Sequence, residues 1–206
     1  MVVYTLHYFK KQAGRVELAR LLLVYGRIPF EEVLIDQEVE WLQLKSNYPN
    51  GQLPILEVDG EILTQSTAIA RYFAKKLNLL GDDDFEAAQA DAFVDSIDDT
   101  YATLVPNGLI IKIVRGKGAE VASEAVDALR PFLERLEKHL LTTNGENLVG
   151  NHLTWADFAL ADLYKRYSVA IPILLLGFPE VKKFVERVLN LPQVKEYVET
   201  RKIEHF

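Results

Sequence analysis

The stretch from Gln52 to Tyr72, QLPILEVDGEILTQSTAIARY, admits few folds. Two short apolar runs, Ile55 to Val58 and Ile62 to Leu63, flank Asp59-Gly60. A type I′ turn needs positive φ at both central residues, and Asp-Gly meets that need, so the pair predicts a tight hairpin. Pro54 stands just before the first run. It cannot donate to a ladder, so it marks a strand start or a special turn. Ser66 reads as a helix N-cap, and Ala68, Ile69, Tyr72 and Phe73 then recur at helical spacing. The segment is therefore strand, turn, strand, helix. Gln65 and Ser66 fall where the N–H groups that open a helix favour an anion.

The flanking sequence extends this unit. Val2 to Phe9 is rich in β-branched and aromatic residues and reads as a strand. Val16, Leu18, Ala19, Leu22 and Leu23 give a helical face that ends near Gly26. Phe30 to Ile35 is a second strand, and Glu38 to Ser46 a weaker, polar helix. The order βαβαββα is thioredoxin-like, with parallel pairing first and an antiparallel hairpin at the edge. Asn78, Gly81 and three aspartates then form a linker over Leu77 to Asp84.

Everything after the linker reads as helix. Phe85 to about Ile113 is one periodic run that Pro106 should bend or break, and Val121 to Leu141 is another, with a kink expected at Pro131. Thr154-Trp-Ala-Asp157 fits a capping box, with Leu153 and Phe158 placed for a hydrophobic staple. Glu180 to Leu189 and Gln193 to about Arg201 are each introduced by a proline. The fold class is thus α/β plus all-α. We expect a thioredoxin-like domain over residues 1–79 and an all-helical domain over 80–206.

Composition removes several chemistries. There is no cysteine among the 206 residues. This excludes disulfides, a Cys nucleophile and thiolate metal sites, so any thiol chemistry must use a thiol on the ligand. The four histidines, His7, His139, His152 and His205, show no metal-ligand spacing, and none is read as a metal site. A net charge of −7 argues against nucleic-acid binding. The N-terminus lacks the order of a signal peptide, and no apolar run approaches membrane-spanning length. A soluble, cytoplasmic protein that engages no membrane is the expectation.

Several motifs along the chain together resemble the cytosolic glutathione transferases, closest to the sigma class and its invertebrate relatives. They are Tyr8-Phe9, Gly14-Arg15, Trp41 with Lys45, Gln52-Leu53-Pro54, Gln65-Ser66, Asp98-Asp99 and the Thr154-Trp-Ala-Asp157 box. The chain departs from the family pattern in YFKKQAGRVE, which has one extra residue and Ala13 where an Arg is common. Asn50 replaces the aromatic plug that some classes push into a partner subunit. Thr100 to Pro106 lacks the tryptophan found there in vertebrate prostaglandin D synthases.

The resemblance implies a homodimeric transferase that adds the glutathione thiolate to small apolar electrophiles, with glutathione as co-substrate and no permanently bound cofactor. Peroxide reduction or isomerisation would be side activities. The alternative is a non-catalytic relative, either a structural lens-type protein or an apolar-ligand carrier. A free thiol ionises near pKa ~8.5. Tyr8 would lower this by donating to the sulfur, and Arg15 by adding positive potential. On residue type alone, Tyr8 is a strand aromatic and Arg15 a solvated charge.

By the same resemblance Leu53, before a cis Pro54, lends its backbone to the cysteinyl part, with Gln52 beside it. Trp41 and Lys45 bind the glycyl carboxylate, and Gln65 and Ser66 the γ-glutamyl carboxylate. Asp99, from the second subunit, meets the ammonium. Phe9, Tyr101, Val105 and Phe206 would line the electrophile pocket.

Overall fold

The computed structural model describes residues 2–10, 12–106, 108–113, 117–143 and 145–201. The first strand, β1 (Tyr4–Phe9), is central in a mixed sheet of order β2-β1-β3-β4. It runs parallel to β2 (Glu31–Ile35) and antiparallel to β3 (Ile55–Val58), which pairs in turn with β4 (Glu61–Thr64). The hairpin has the predicted form: Asp59 and Gly60 take φ of 50° and 91°. β1 begins at Tyr4 rather than Val2 because its partner β3 ends opposite Tyr4. Val3 instead bonds the turn, its N–H donating to Asp59 Oδ1 at 3.0 Å.

Side chains of β1 alternate between two faces. Tyr4, Leu6 and Tyr8 are buried, on the side that carries α1 (Glu17–Tyr25) and α3 (Ser66–Lys76). Leu6, Leu22, Leu56, Ile69 and Phe73 are fully enclosed there, each contributing about 1.5–3 kcal/mol of burial. Thr5, His7 and Phe9 face the other way and are half-buried.

The polar helix expected over Glu38 to Ser46 shrinks to α2 (Trp41–Leu44), followed by 3-10 turns at Lys45–Asn47 and Pro49–Gly51. None of its residues is fully buried, and Leu42 is 87% exposed. The Asp36 carboxylate accepts from the N–H groups of Glu38 and Val39, and Asp36 O accepts from those of Glu40 and Trp41, so residues 37–40 form a turn ahead of α2.

A second correction concerns Ser66. It is the first helical residue of α3, and the N-cap position belongs to Gln65, at φ 71° and ψ 116°. The corner between β4 and α3 is made by that backbone, so the Ser66 side chain is not spent on capping.

The remaining helices are α4 (Asp84–Leu104), α5 (Leu109–Lys112), α6 (Ala122–Thr142), α7 (Trp155–Ala170), α8 (Pro179–Leu189) and α9 (Pro192–Thr200). The break expected at Pro106 separates α4 from α5, whereas α6 continues as one helix through Pro131. No helix among the described residues is long and apolar enough to cross a membrane. Helix α7 is the spine of this half and packs on α1, α3, α4 and α8. It also meets the sheet half directly: Trp155 N–H donates to Leu79 O at 2.9 Å, Tyr25 packs on Phe158, and Arg71 lies over the Trp155 ring.

The start of α7 is fastened by Asp157, which is fully buried. Its carboxylate accepts from Leu148 N at 2.9 Å, Thr154 N at 2.6 Å and Thr154 Oγ1 at 2.9 Å. Burial pushes the carboxyl pKa up, and these donors pull it back. Asp157→Ala would leave buried donors unpartnered at about 1–3 kcal/mol each. We expect a total loss of about 3–5 kcal/mol, read as a lower urea midpoint at unchanged slope. A loss below about 1 kcal/mol would contradict the buried-cap account.

Candidate active site

The β4–α3 corner, the 49–54 loop and the start of the first helix surround a cavity of about 550 Å³. Leu53-Pro54 is cis and forms one wall, with Gln52 beside it. Thr64, Gln65 and Ser66 form a second, and Arg15 and Gln37 close a third. The fourth is aromatic. Phe9 meets Trp41 edge to face at 5.2 Å between ring centroids, and Trp41 leans on Tyr48 at 5.6 Å. Behind them His7 Nδ1 lies 3.2 Å from the Tyr48 hydroxyl. Burial holds the His7 pKa below its ordinary value, opposed by nearby Glu57.

Tyr8 projects from the other face of β1. Its hydroxyl accepts the backbone N–H of Arg15 at 3.1 Å, which leaves its own proton to donate. Burial raises the phenol pKa, countered by that N–H and by the charges of Arg166, Arg20 and Arg15. The net direction is upward, so the hydroxyl keeps its proton at neutral pH. Gly14 makes this close approach feasible. It has φ +49°, and a Cβ there would lie 2.1 Å from the Tyr8 oxygen.

A second, small cavity of about 30 Å³ shares Arg15 and Ser66 with the first. Its wall includes Asp98, Tyr101, Asp162 and Arg166. Asp98 accepts from Thr67 Oγ1 at 3.3 Å. Arg15 Cζ stands 4.9 Å from the centre of the Tyr101 ring.

The structure thus brings together Phe9, Arg15, Trp41, Gln52, Leu53, Pro54, Gln65 and Ser66 around one cavity. It does not bring in all the expected residues. Tyr8 lies at the first helix turn and is not part of the cavity wall. Lys45 sits outside that wall, its stem packed over Gly51. Asp99 is exposed and borders neither cavity of its own chain. Tyr101 borders the small cavity and Phe9 the large one, while Val105 is 57% exposed. These three do not form one wall, and Phe206 lies outside the described residues.

Sequence reasoning missed Gln37, Thr64, Asp162 and Arg166. The last two had a signal: two opposite charges four residues apart in the mostly apolar run ALADLYKRY, where Lys165 is the one other charge. Among the described residues, Asp82, Glu86 and His152 are a group with ligand atoms within 4.8 Å of one another. Glu86 already accepts from Asp82 N, and none of the three borders either cavity.

Comparisons with known proteins agree across the chain. Residues 4–75 match the family described as glutathione S-transferase, N-terminal domain, and residues 115–201 its C-terminal domain. The chain is 37% identical to glutathione S-transferase 1 of Ascaris suum, over 98% of each chain. Among solved structures, a nu-class glutathione transferase from Haemonchus contortus superposes with a TM-score of 0.86 at 33% identity, covering all of both chains. Monomeric Na-GST-3, a glutathione S-transferase of the hookworm Necator americanus, gives 0.86 at 34% identity, covering 96% of this chain and 97% of its own.

The chain belongs to the glutathione S-transferase family. It is a transferase that takes glutathione as co-substrate and holds no permanent cofactor. The non-catalytic alternative finds no support in these relatives.

Gly14→Ala tests the close approach at Tyr8. Alanine at φ +49° with its Cβ against the phenol is expected to cost about 1–3 kcal/mol in chemical denaturation. Stability within about 0.5 kcal/mol of wild type would mean that Tyr8 has room to move.

Proposed function

We propose that the 550 Å³ cavity holds glutathione with its thiol at the start of the first helix, where Tyr8 and Arg15 ionise it for attack on soft electrophilic carbon. The observation that carries this reading is the Tyr8 hydroxyl, protonated, buried and accepting from Arg15 N–H, so that its one hydrogen is left to donate. Charge-assisted donation to a sulfur anion favours the thiolate. Proton loss gives the nucleophile, a C–S bond forms to the electrophile, and a leaving group departs or an activated double bond accepts the electron pair.

The peptide's ends are assigned by the resemblance to the family, on the residues that border the cavity. Gln65 and Ser66, at the N-terminal end of α3, take the γ-glutamyl carboxylate. The Leu53 backbone pairs with the cysteinyl part, with Gln52 and Pro54 around it. Trp41 and, from outside the wall, Lys45 take the glycyl carboxylate. Asp99 serves the ammonium from a partner subunit in a homodimer, which its outward exposure suits. The electrophile approaches over Phe9 and Tyr101, with Val105 and Phe206 on its outer side.

We place the domain division between residues 79 and 80. The sigma-like class remains our reading, as does detoxification as the role. A cytoplasmic location is likewise our reading.

Turnover of a chlorinated aromatic electrophile with glutathione tests the activity. Tyr8→Phe tests its origin. Deleting the hydroxyl should cost about 1.5–3 kcal/mol of thiolate stabilisation, or a rise of about one to two units in the bound thiol's pKa. Turnover at neutral pH should fall by a similar factor and largely return at alkaline pH. Thiolate absorbance of the complex against pH reads this directly, and matching curves for the two proteins would return Tyr8 to a packing role.

Asp99→Asn should weaken glutathione binding roughly ten- to a hundredfold in a folded dimer, through loss of a charge-assisted bond. Unchanged affinity would remove Asp99 from the site.

A further inference from the structure

Helix α7 is buried along most of its length, yet it carries two charged residues one turn apart. Asp162 and Arg166 are 2% and 8% exposed. Nε and Nη2 of Arg166 each lie 3.0 Å from a different oxygen of the Asp162 carboxylate. Such fork-to-fork pairing fixes the guanidinium plane. Burial, with the nearby Asp98 carboxylate, pushes the Asp162 carboxyl well up, and burial pulls Arg166 down to about 10 against the raising influence of Tyr167, Tyr8 and Asp98. Well-packed apolar residues at both positions are often as stabilising as a buried pair, so the pair is not by itself a stability device.

The fixed plane has a target. Arg166 Cζ lies 5.1 Å from the Tyr101 ring centre, and Arg15 Cζ lies 4.9 Å from the same point. Both distances are within cation–π range. The two arginines, Tyr101 and Asp162 all border the 30 Å³ cavity, which shares Arg15 with the larger one. The Arg15 side chain is otherwise exposed, and a long side chain in water samples many rotamers. Tyr101 gives it one place to rest, and Arg166 with Asp162 holds Tyr101 there.

The charged and titratable groups facing this cluster come from every adjoining element. They are Tyr8 on β1, Arg15 and Arg20 at the first helix, Asp98 and Tyr101 on α4, and Asp162 and Tyr167 on α7. The charges of Arg166, Arg20 and Arg15 all oppose the upward shift of the Tyr8 phenol.

We propose that Arg166 is a positioning residue for thiolate formation: anchored by Asp162, it steadies Tyr101 as the platform for the Arg15 guanidinium and adds positive potential at the Tyr8 hydroxyl. This rests on the reading of Tyr8 and Arg15 as the groups that ionise the thiol. A positive charge near the phenol makes its hydroxyl a stronger donor, and a guanidinium held over the cavity edge favours the sulfur anion.

The test is thiolate absorbance against pH for the glutathione complexes of wild type, Arg166→Met, Arg166→Lys and Tyr101→Leu. Arg166→Met should raise the bound thiol's pKa by roughly half a unit to one unit, with glutathione affinity changed less than about threefold. Arg166→Lys keeps the charge but not the fork that fixes the plane over Tyr101, and should recover only part of that shift. Tyr101→Leu should move the pKa in the same direction as Arg166→Met, because Arg15 loses its platform. If Arg166→Met does not fold with Asp162 unpaired, the double variant Asp162→Asn/Arg166→Met is used in its place.

A folded Arg166→Met or double variant with the wild-type thiol pKa overturns the proposal. A wild-type complex whose thiol titrates like free glutathione overturns instead the underlying reading of Tyr8 and Arg15, so the two failures are told apart.

Discussion

The hydrogen bond from Arg15 N–H to the Tyr8 hydroxyl joins the central strand to the first helix, and the rest of the site is arranged around it. It forms because Gly14, at φ +49° and without a Cβ, lets the helix start come down onto the end of β1. One face of that strand then supplies a buried, protonated phenol, while the other supplies Phe9 to the aromatic wall. The alternation of a six-residue strand thus divides activation of the thiol from enclosure of the peptide.

The same junction ties the two halves of the chain. Arg15 borders both cavities and reaches Tyr101 on α4. Thr67 on α3 donates to Asp98 on α4, and Trp155 at the start of α7 bonds Leu79 at the end of the sheet half. Near the C-terminal end of the described chain, Arg201 pairs with Glu17 and donates to the Gln12 carbonyl at 3.2 Å, closing over the loop that precedes the first helix. A site built between halves gains rigidity only where such contacts are buried. Of the contacts that cross between the halves, the one from Trp155 N–H to Leu79 O lies between two buried residues.

Much of this was legible in the sequence for identifiable reasons. Asp59-Gly60 and the Thr154 to Asp157 box are local: their geometry is dictated by residues within a few positions, so they survive any tertiary context. Ser66 was misplaced by one because Gln65 adopts a backbone conformation uncommon for a side-chain-bearing residue, which no propensity anticipates. The helix around Trp41 and Lys45 was overextended because residues 37–40 are held in a turn by Asp36 and the chain tightens to a 3-10 turn from Lys45, neither of which periodicity separates from a helix. The cavity walls needed tertiary knowledge. Gln37, Thr64 and Arg166 converge from distant positions, and only the odd charge pair inside an apolar helix hinted at the last of them.

The central claim is that the cavity at the β4–α3 corner is a preformed site for glutathione. Titration calorimetry of the full chain with glutathione, in excess chelator, tests it most directly. The account predicts saturable binding of one glutathione per chain, independent of metal and lost when both carboxylates of the peptide are esterified. Absence of any binding heat at millimolar glutathione, or equal affinity for the diester, would contradict it.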